Sequence, residues 1–196
     1  MAEPIYFYFD FSSSYSYLAQ ARIAEIERET GRSVQYRPFV LGAIFHKLGH
    51  SVPARFSIKM TYLDHDLQRS AQLLNIEFAL PPAFPFNAMH AMRLFYAIDK
   101  LDSEKARDYA SAVFDAAFAQ QKDVADPSII EKTVSGLGLD YASLSTGEQF
   151  ESAKNMLKLH TQNASEANVF GAPSFVADGE LFWGADRIDL LIQLNK

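Results

Sequence analysis

The chain opens on an apolar run, Ile5 to Phe11 (IYFYFDF), interrupted only by Asp10. A short run this rich in aromatics reads as a buried β-strand over residues 4–11. Beyond it Tyr15, Ala19, Ile23 and Ile26 recur at near-helical spacing, so a helix is expected from Tyr15 until Gly31 stops it. Ser33 to Phe39 (SVQYRPF) reads as a second strand. Strand, helix, strand in this order implies a parallel pair joined by a right-handed crossover. From Leu41 to about Leu159 strand signals almost vanish. ARFSIKMTYLDHDLQRSAQLL, NAMHAMRLFYAIDKL, SEKARDYASAVFDAAFAQQ and ESAKNMLKLHTQNASEA carry apolar residues at spacings of three and four. Stops such as PPAFPF and Gly136-Leu137-Gly138 separate them. Strand character returns at Ser174 to Ala177 and again at Glu180 to Trp183. The Asp178-Gly179 pair between them is a strong hairpin signal. A helix from about Asp186 to Leu194 ends the pattern.

The order is therefore βαβ, a long helical block, then ββα. That is an α/β chain with a thioredoxin-like fold and a large all-helical insertion. The expected division is residues 1–52 and 160–196 for the thioredoxin-like domain and 53–159 for the helical insertion domain.

Hydrophobic residues make up 48% of the chain and aromatics 13%, enough for a packed core without a disordered tract. A net charge of −6 and a pI near 5.3 weigh against nucleic acid or an anionic membrane as the partner. No apolar run approaches the roughly 20 residues that span a bilayer. MAEPIYFYFD enters a strand without a basic or apolar leader, so a cytoplasmic location is expected.

Candidate chemistry begins where the first strand turns into the first helix, at Ser13-Ser14-Tyr15-Ser16. In a thioredoxin-like redox protein that turn carries Cys-x-x-Cys. This chain has no cysteine, so a dithiol–disulfide cycle of its own is impossible. A hydroxyl at a helix start is instead suited to holding the thiolate of another molecule, because unpaired N–H groups and the positive helix end converge there. A thiol cofactor follows, with glutathione the obvious candidate. The plainer alternative makes the serines helix caps. Asp10 could serve as a capping acid or as a charge that repels the thiolate; both readings stand at this point. Gly171-Ala172-Pro173-Ser174-Phe175 precedes the hairpin. Read alone, a proline opening a strand is an edge device. Paired with the Ser13 turn, Pro173 is expected to be cis, facing the first helix and leaving the Ala172 backbone free to pair with an extended peptide.

Other clusters carry weaker signals. His46 and His50 have metal-pair spacing, but Gly49 falls between them and no third ligand appears, so no metal site is expected. Asp64-His65-Asp66 reads as a solvated helix face. Phe84 to Asn87, followed by Arg93, fits ordinary packing at a helix start, and Arg37 reads as structural.

FYFDFSSSYSYLA, YRPFVLGAIFHKLG and VFGAPSFVADGELFWGADRIDLL resemble the 2-hydroxychromene-2-carboxylate isomerases and the related kappa-class glutathione transferases, both within the DsbA-like thioredoxin superfamily. The resemblance covers nearly the whole chain. It implies that Ser13 is catalytic and donates a hydrogen bond to the glutathione sulfur, with Ser14 and Tyr15 forming the helix turn. Ala172 and Pro173 would present backbone to the cysteinyl part of glutathione. Trp183, Gly184, Ala185 and Asp186 would hold the γ-glutamyl end, with Asp186 taking the ammonium group. Lys59 matches a basic position that meets a carboxylate of the cofactor or substrate. Arg55 is a second candidate cation, and Phe86 and Asn87 would face the substrate. The chain departs from the family pattern at Ser14, where proline is usual, and at His50, a candidate cofactor contact where asparagine is usual. The implied activity is a glutathione-dependent isomerase. It would interconvert 2-hydroxychromene-2-carboxylate and trans-o-hydroxybenzylidenepyruvate, in aromatic catabolism, by reversible thiolate addition. The implied assembly is a homodimer. A kappa-class-like transferase is the alternative enzyme, and a non-catalytic thioredoxin-like binding module comes third.

Overall fold

Five strand residues, Ile5–Phe9, form β1; α1 (Ser14–Gln20), α2 (Ile23–Thr30), β2 (Val34–Pro38) and α3 (Leu41–Leu48) follow. Then come α4 (Ile58–Leu73), α5 (Met89–Asp99), α6 (Ser103–Phe118), α7 (Pro127–Gly136), α8 (Tyr141–Leu144) and α9 (Gly147–Glu166). The hairpin β3 (Ser174–Ala177) and β4 (Glu180–Trp183), a 3-10 turn at Ala185–Arg187 and α10 (Ile188–Leu194) complete the order. The computed structural model describes residues 3–196. These form two units: one runs up to Ser51 and resumes at His160–Lys196, and the other is Val52–Leu159. The division falls within α9.

In the first unit, among the described residues, the four strands make one mixed sheet in the order β2-β1-β3-β4. β1 runs parallel to β2 and antiparallel to β3, with Phe7 opposite both Tyr36 and Phe175. On one sheet face Phe7 stacks on Phe9 at 4.9 Å and on Phe175 at 5.0 Å. On the other face Tyr8 and Val176 pack with Phe39 and Ile44 from around α3 and Ala164 from the end of α9. α2 packs on β2 and α10 on α2. The thioredoxin-like architecture expected from the pattern is the one observed.

Local chemistry adjusts the boundaries. β1 stops at Phe9 because the chain turns at Asp10, whose backbone oxygen accepts from the Ser13 amide at 2.9 Å. The single helix expected from Tyr15 is two, broken at Ala21 and Arg22. Arg22 pairs with Glu25 on α2 and Asp189 on α10. Apolar spacing cannot show so short a break. Gly31 does stop α2, with φ 65°. Arg32, 8% exposed, grips both carboxylate oxygens of Asp178 in the hairpin turn and the Asn195 side chain.

His160 opens the part of α9 that belongs to this unit. Burial, reinforced by the positive Arg37, lowers its pKa to about 4. A histidine whose folded pKa lies below its unfolded value contributes stability above about pH 6.5 and loses it as pH falls toward 4. Urea titrations at pH 7 and pH 4 should therefore show a loss of up to roughly 3 kcal/mol that His160→Gln does not share. Equal losses in both proteins would assign the acid sensitivity elsewhere.

In the second unit α5 packs on α6 and α8, and α7 on α6 and α8. Tyr109, fully buried, donates to the Ala91 carbonyl at 3.2 Å. Phe118 receives Phe78 at 6.0 Å and Phe86 at 5.9 Å.

Candidate active site

Asp10, at the end of β1, decides the shape of the turn that follows. It is 4% exposed. One carboxylate oxygen accepts from the Ser12 amide and the Ser12 hydroxyl, both at 2.8 Å, and the other from the Leu41 amide at 2.9 Å. The turn is thereby tied to the start of α3. Burial raises the Asp10 pKa, and the bonds from Ser12 and Leu41 pull it back down. Of the two sequence readings, the local anchoring role is the one the geometry shows.

Ser13 caps α1 with extended backbone, φ −90° and ψ 109°. Its Oγ accepts from the Ser16 amide at 3.2 Å and donates to the Ala172 carbonyl at 2.9 Å. Two segments 159 positions apart thus meet side chain to backbone. The Ala172–Pro173 peptide is cis, as the motif suggests. The Pro173 carbonyl accepts from the Gly184 amide at 3.0 Å, which brings the end of β4 to the same place. The 3-10 turn carrying Ala185 and Asp186 packs against α1.

Two glycines shape this corner. A Cβ on Gly171 would lie 2.3 Å from Trp183 Nε1, so the indole rests where only glycine leaves room. Trp183 is half exposed, with its ring 4.8 Å from Phe170. Gly184 has φ 110° and ψ 151°, a region open essentially to glycine alone. A Cβ there would fall 2.3 Å from Asp186 Oδ1. Gly184→Ala should cost of order 1–3 kcal/mol of stability through the backbone and turn the Asp186 carboxylate away. Thermal unfolding reads the first effect and ligand affinity the second; full retention of both would show that the corner relaxes freely.

Ser13, Ser14, Tyr15, Ala172, Pro173, Trp183, Gly184, Ala185 and Asp186 are therefore gathered at one end of the first unit. Asp186 is exposed, with Arg187 at 3.5 Å. His50 follows Gly49, which ends α3 at φ 68°, and stands edge-on to Phe45 at 6.0 Å. In the helical unit, Lys59 is exposed and has no ion-pair partner among the described residues. Arg55 donates to the Pro82 carbonyl and helps line a cavity of about 350 Å³ with Phe56, Met60, Leu80 and Phe84. Phe86 is buried against Phe118, which favours packing over an open wall. Asn87 Oδ1 accepts from the Met89 amide at 2.9 Å and so caps the start of α5. Gly171 was the contributor hardest to see: its only sequence signal is its place two residues before Pro173.

This corner offers a hydroxyl, a strand-edge carbonyl, an indole face and an exposed carboxylate, and the first unit holds no thiol. Residues 4–194 match the family model described as DSBA-like thioredoxin domain. The chain is 26% identical over 193 residues to a 2-hydroxychromene-2-carboxylate isomerase of Sphingobium xenophagum, covering 97% of each chain. It is 24% identical over 200 residues to Glutathione S-transferase kappa 1 of Caenorhabditis elegans, covering 96% of this chain and 88% of the relative. A solved structure of 2-hydroxychromene-2-carboxylate isomerase superposes with a TM-score of 0.84 at 27% identity, covering 98% of this chain and 94% of that one.

Proposed function

The chain belongs to the DsbA-like thioredoxin family, and from that premise we propose that it is a glutathione-dependent isomerase acting on a small aromatic carboxylate. The substrate pair would be 2-hydroxychromene-2-carboxylate and trans-o-hydroxybenzylidenepyruvate. The observation that carries the reading is the Ser13 hydroxyl, poised 2.9 Å from the Ala172 carbonyl at the position of a redox cysteine in a chain without cysteine. The names of the relatives in Sphingobium and Caenorhabditis support the two halves of the proposal, isomerisation and glutathione.

Bound glutathione would supply a thiolate able to add reversibly to a conjugated double bond, permit rotation and leave unchanged. The residues of this chain supply the rest. Ser13 donates toward the sulfur and, with the helix start at Ser14 and Tyr15, favours its anion over a thiol of ordinary pKa ~8.5. The Ala172 backbone orients the cysteinyl portion. Trp183, Gly184 and Ala185 would hold the γ-glutamyl end, with Asp186 taking its ammonium group. Arg55 and Lys59 are the proposed cations for carboxylates of substrate or cofactor. A cytoplasmic homodimer is part of the same proposal, and sedimentation tests the dimer.

Glutathione should stabilise the protein, since it binds the native state; at a hundredfold excess over Kd the gain is about 2.7 kcal/mol. An unchanged melting temperature in millimolar glutathione would sink the reading. Turnover without loss of glutathione identifies the isomerase. Stoichiometric loss would identify a transferase, the second reading, which the kinship with Glutathione S-transferase kappa 1 favours.

A further inference from the structure

An arginine keeps its proton inside a protein, so a guanidinium that folding encloses calls for an acceptor or a counter-ion. Arg93, on α5, is half-buried. Its Nε is enclosed without a hydrogen-bond partner among the described residues. Nη2 donates to Met89 Sδ at 2.9 Å, and a thioether is a weak acceptor. Other cations of the helical unit are placed differently. Arg69 pairs with Asp66 and Lys154 with Glu151, Arg55 donates to the Pro82 carbonyl, and Lys59 is exposed to water. Arg93 has no carboxylate partner among the described residues.

Aromatic rings surround its neighbour. His90, three positions back on α5, lies edge-on to Phe150 of α9 at 5.7 Å and to Tyr141 of α8 at 6.0 Å. The Tyr141 hydroxyl is 2.9 Å from His90 Nε2. Burial, with the Arg93 charge added to it, lowers the His90 pKa, so the imidazole is neutral at pH 7 and leaves Arg93 to meet an anion.

We infer that Arg93 forms a carboxylate site in the helical unit, taking a small aromatic acid. Nε and Nη2 share one edge of the planar guanidinium, a fork that matches the two oxygens of a carboxylate. Met89, unbranched and flexible, swings off Nη2 to admit them. The rings of His90, Tyr141 and Phe150 give the acid an aromatic wall. An acid without a ring meets the same charge but forgoes that wall. The inference rests on the surroundings of Arg93 and not on the thiol reading of the Ser13 corner.

The test titrates the intact protein with benzoate and follows the ring protons of its five histidines by NMR, with His90→Gln assigning the His90 signal. A bound carboxylate offsets the Arg93 charge, so the His90 pKa should rise toward its ordinary value by roughly half a unit. The effect should saturate at roughly millimolar benzoate, the affinity open to so small a ligand. Benzamide, of the same shape without the charge, should leave His90 unmoved, and acetate should bind about tenfold more weakly or worse. Arg93→Gln should abolish the rise. Arg93→Lys keeps the charge, loses the fork and should weaken benzoate roughly tenfold; it serves also if the Gln variant does not fold. A His90 pKa that benzoate leaves unchanged, that acetate raises equally well, or that benzoate raises as much in either Arg93 variant would overturn the inference. None of these results bears on glutathione binding, whose absence by calorimetry would sink the functional reading alone.

Discussion

Ser13→Ala is expected to raise the thiol pKa of bound glutathione by roughly one to two units, the worth of a hydrogen bond to a charged group. The substitution removes the hydroxyl that caps α1 and reaches Ala172, yet leaves the Asp10 anchor of the turn in place. Glutathione should therefore still bind. Turnover near neutral pH should fall roughly tenfold or more and recover partly in alkali, because each unit of pKa changes the thiolate fraction about tenfold near neutrality. Loss of the cap alone lowers stability by ~1 kcal/mol and has no such pH signature. The decisive measurement pairs a pH–rate profile with a thiolate titration of the complex. Overlapping curves for the two proteins would reduce Ser13 to a helix cap.

Phe7→Ala should be the most damaging change to the fold itself. Phe7 is fully buried, stacked on Phe9 and Phe175 and edge-on to Tyr36 at 5.4 Å. One ring thus joins three strands, and deleting it removes both its burial and the contacts of every neighbour around the hole. A buried Phe→Ala change costs about 3–5 kcal/mol, a large share of the ~5–15 kcal/mol that holds a domain folded. Urea unfolding should show it as a shift in midpoint. Phe7→Leu, which keeps most of the volume, should cost markedly less. A loss below about 1 kcal/mol for Phe7→Ala would mean that the core closes over the gap. The folded fraction of Phe7→Ala should keep the wild-type thiol pKa, since the Ser13 turn is held by Asp10 and Ala172 rather than by this ring.

Local sequence carried much of the architecture because strands, hairpins and helix stops have short-range causes. The apolar run of β1, the Asp178-Gly179 turn and the Gly31 stop depend on periodicity or on backbone freedom at one position, and the structure shows all three. The break at Ala21 and Arg22 escaped because apolar residues keep nearly the same spacing across it, while its cause includes Asp189 far along the chain. The site divides the same way. Its hydroxyl, proline and carboxylate were visible as motifs; Phe86 and Asn87, which serve packing and capping in the helical unit, looked equally suited to a substrate.

The sequence by itself settled that this chain has no thiol chemistry of its own, since it has no cysteine, and that its order is βαβ, helical block, ββα. Only the tertiary structure decided where the Ser13 proton points, that Asp10 anchors the turn to α3, and that Trp183 lies over Gly171. Each of these depends on a contact between residues far apart in the chain. Periodicity reports which face of an element is apolar, and hydrogen-bond partners and close approaches are set only when those faces pack.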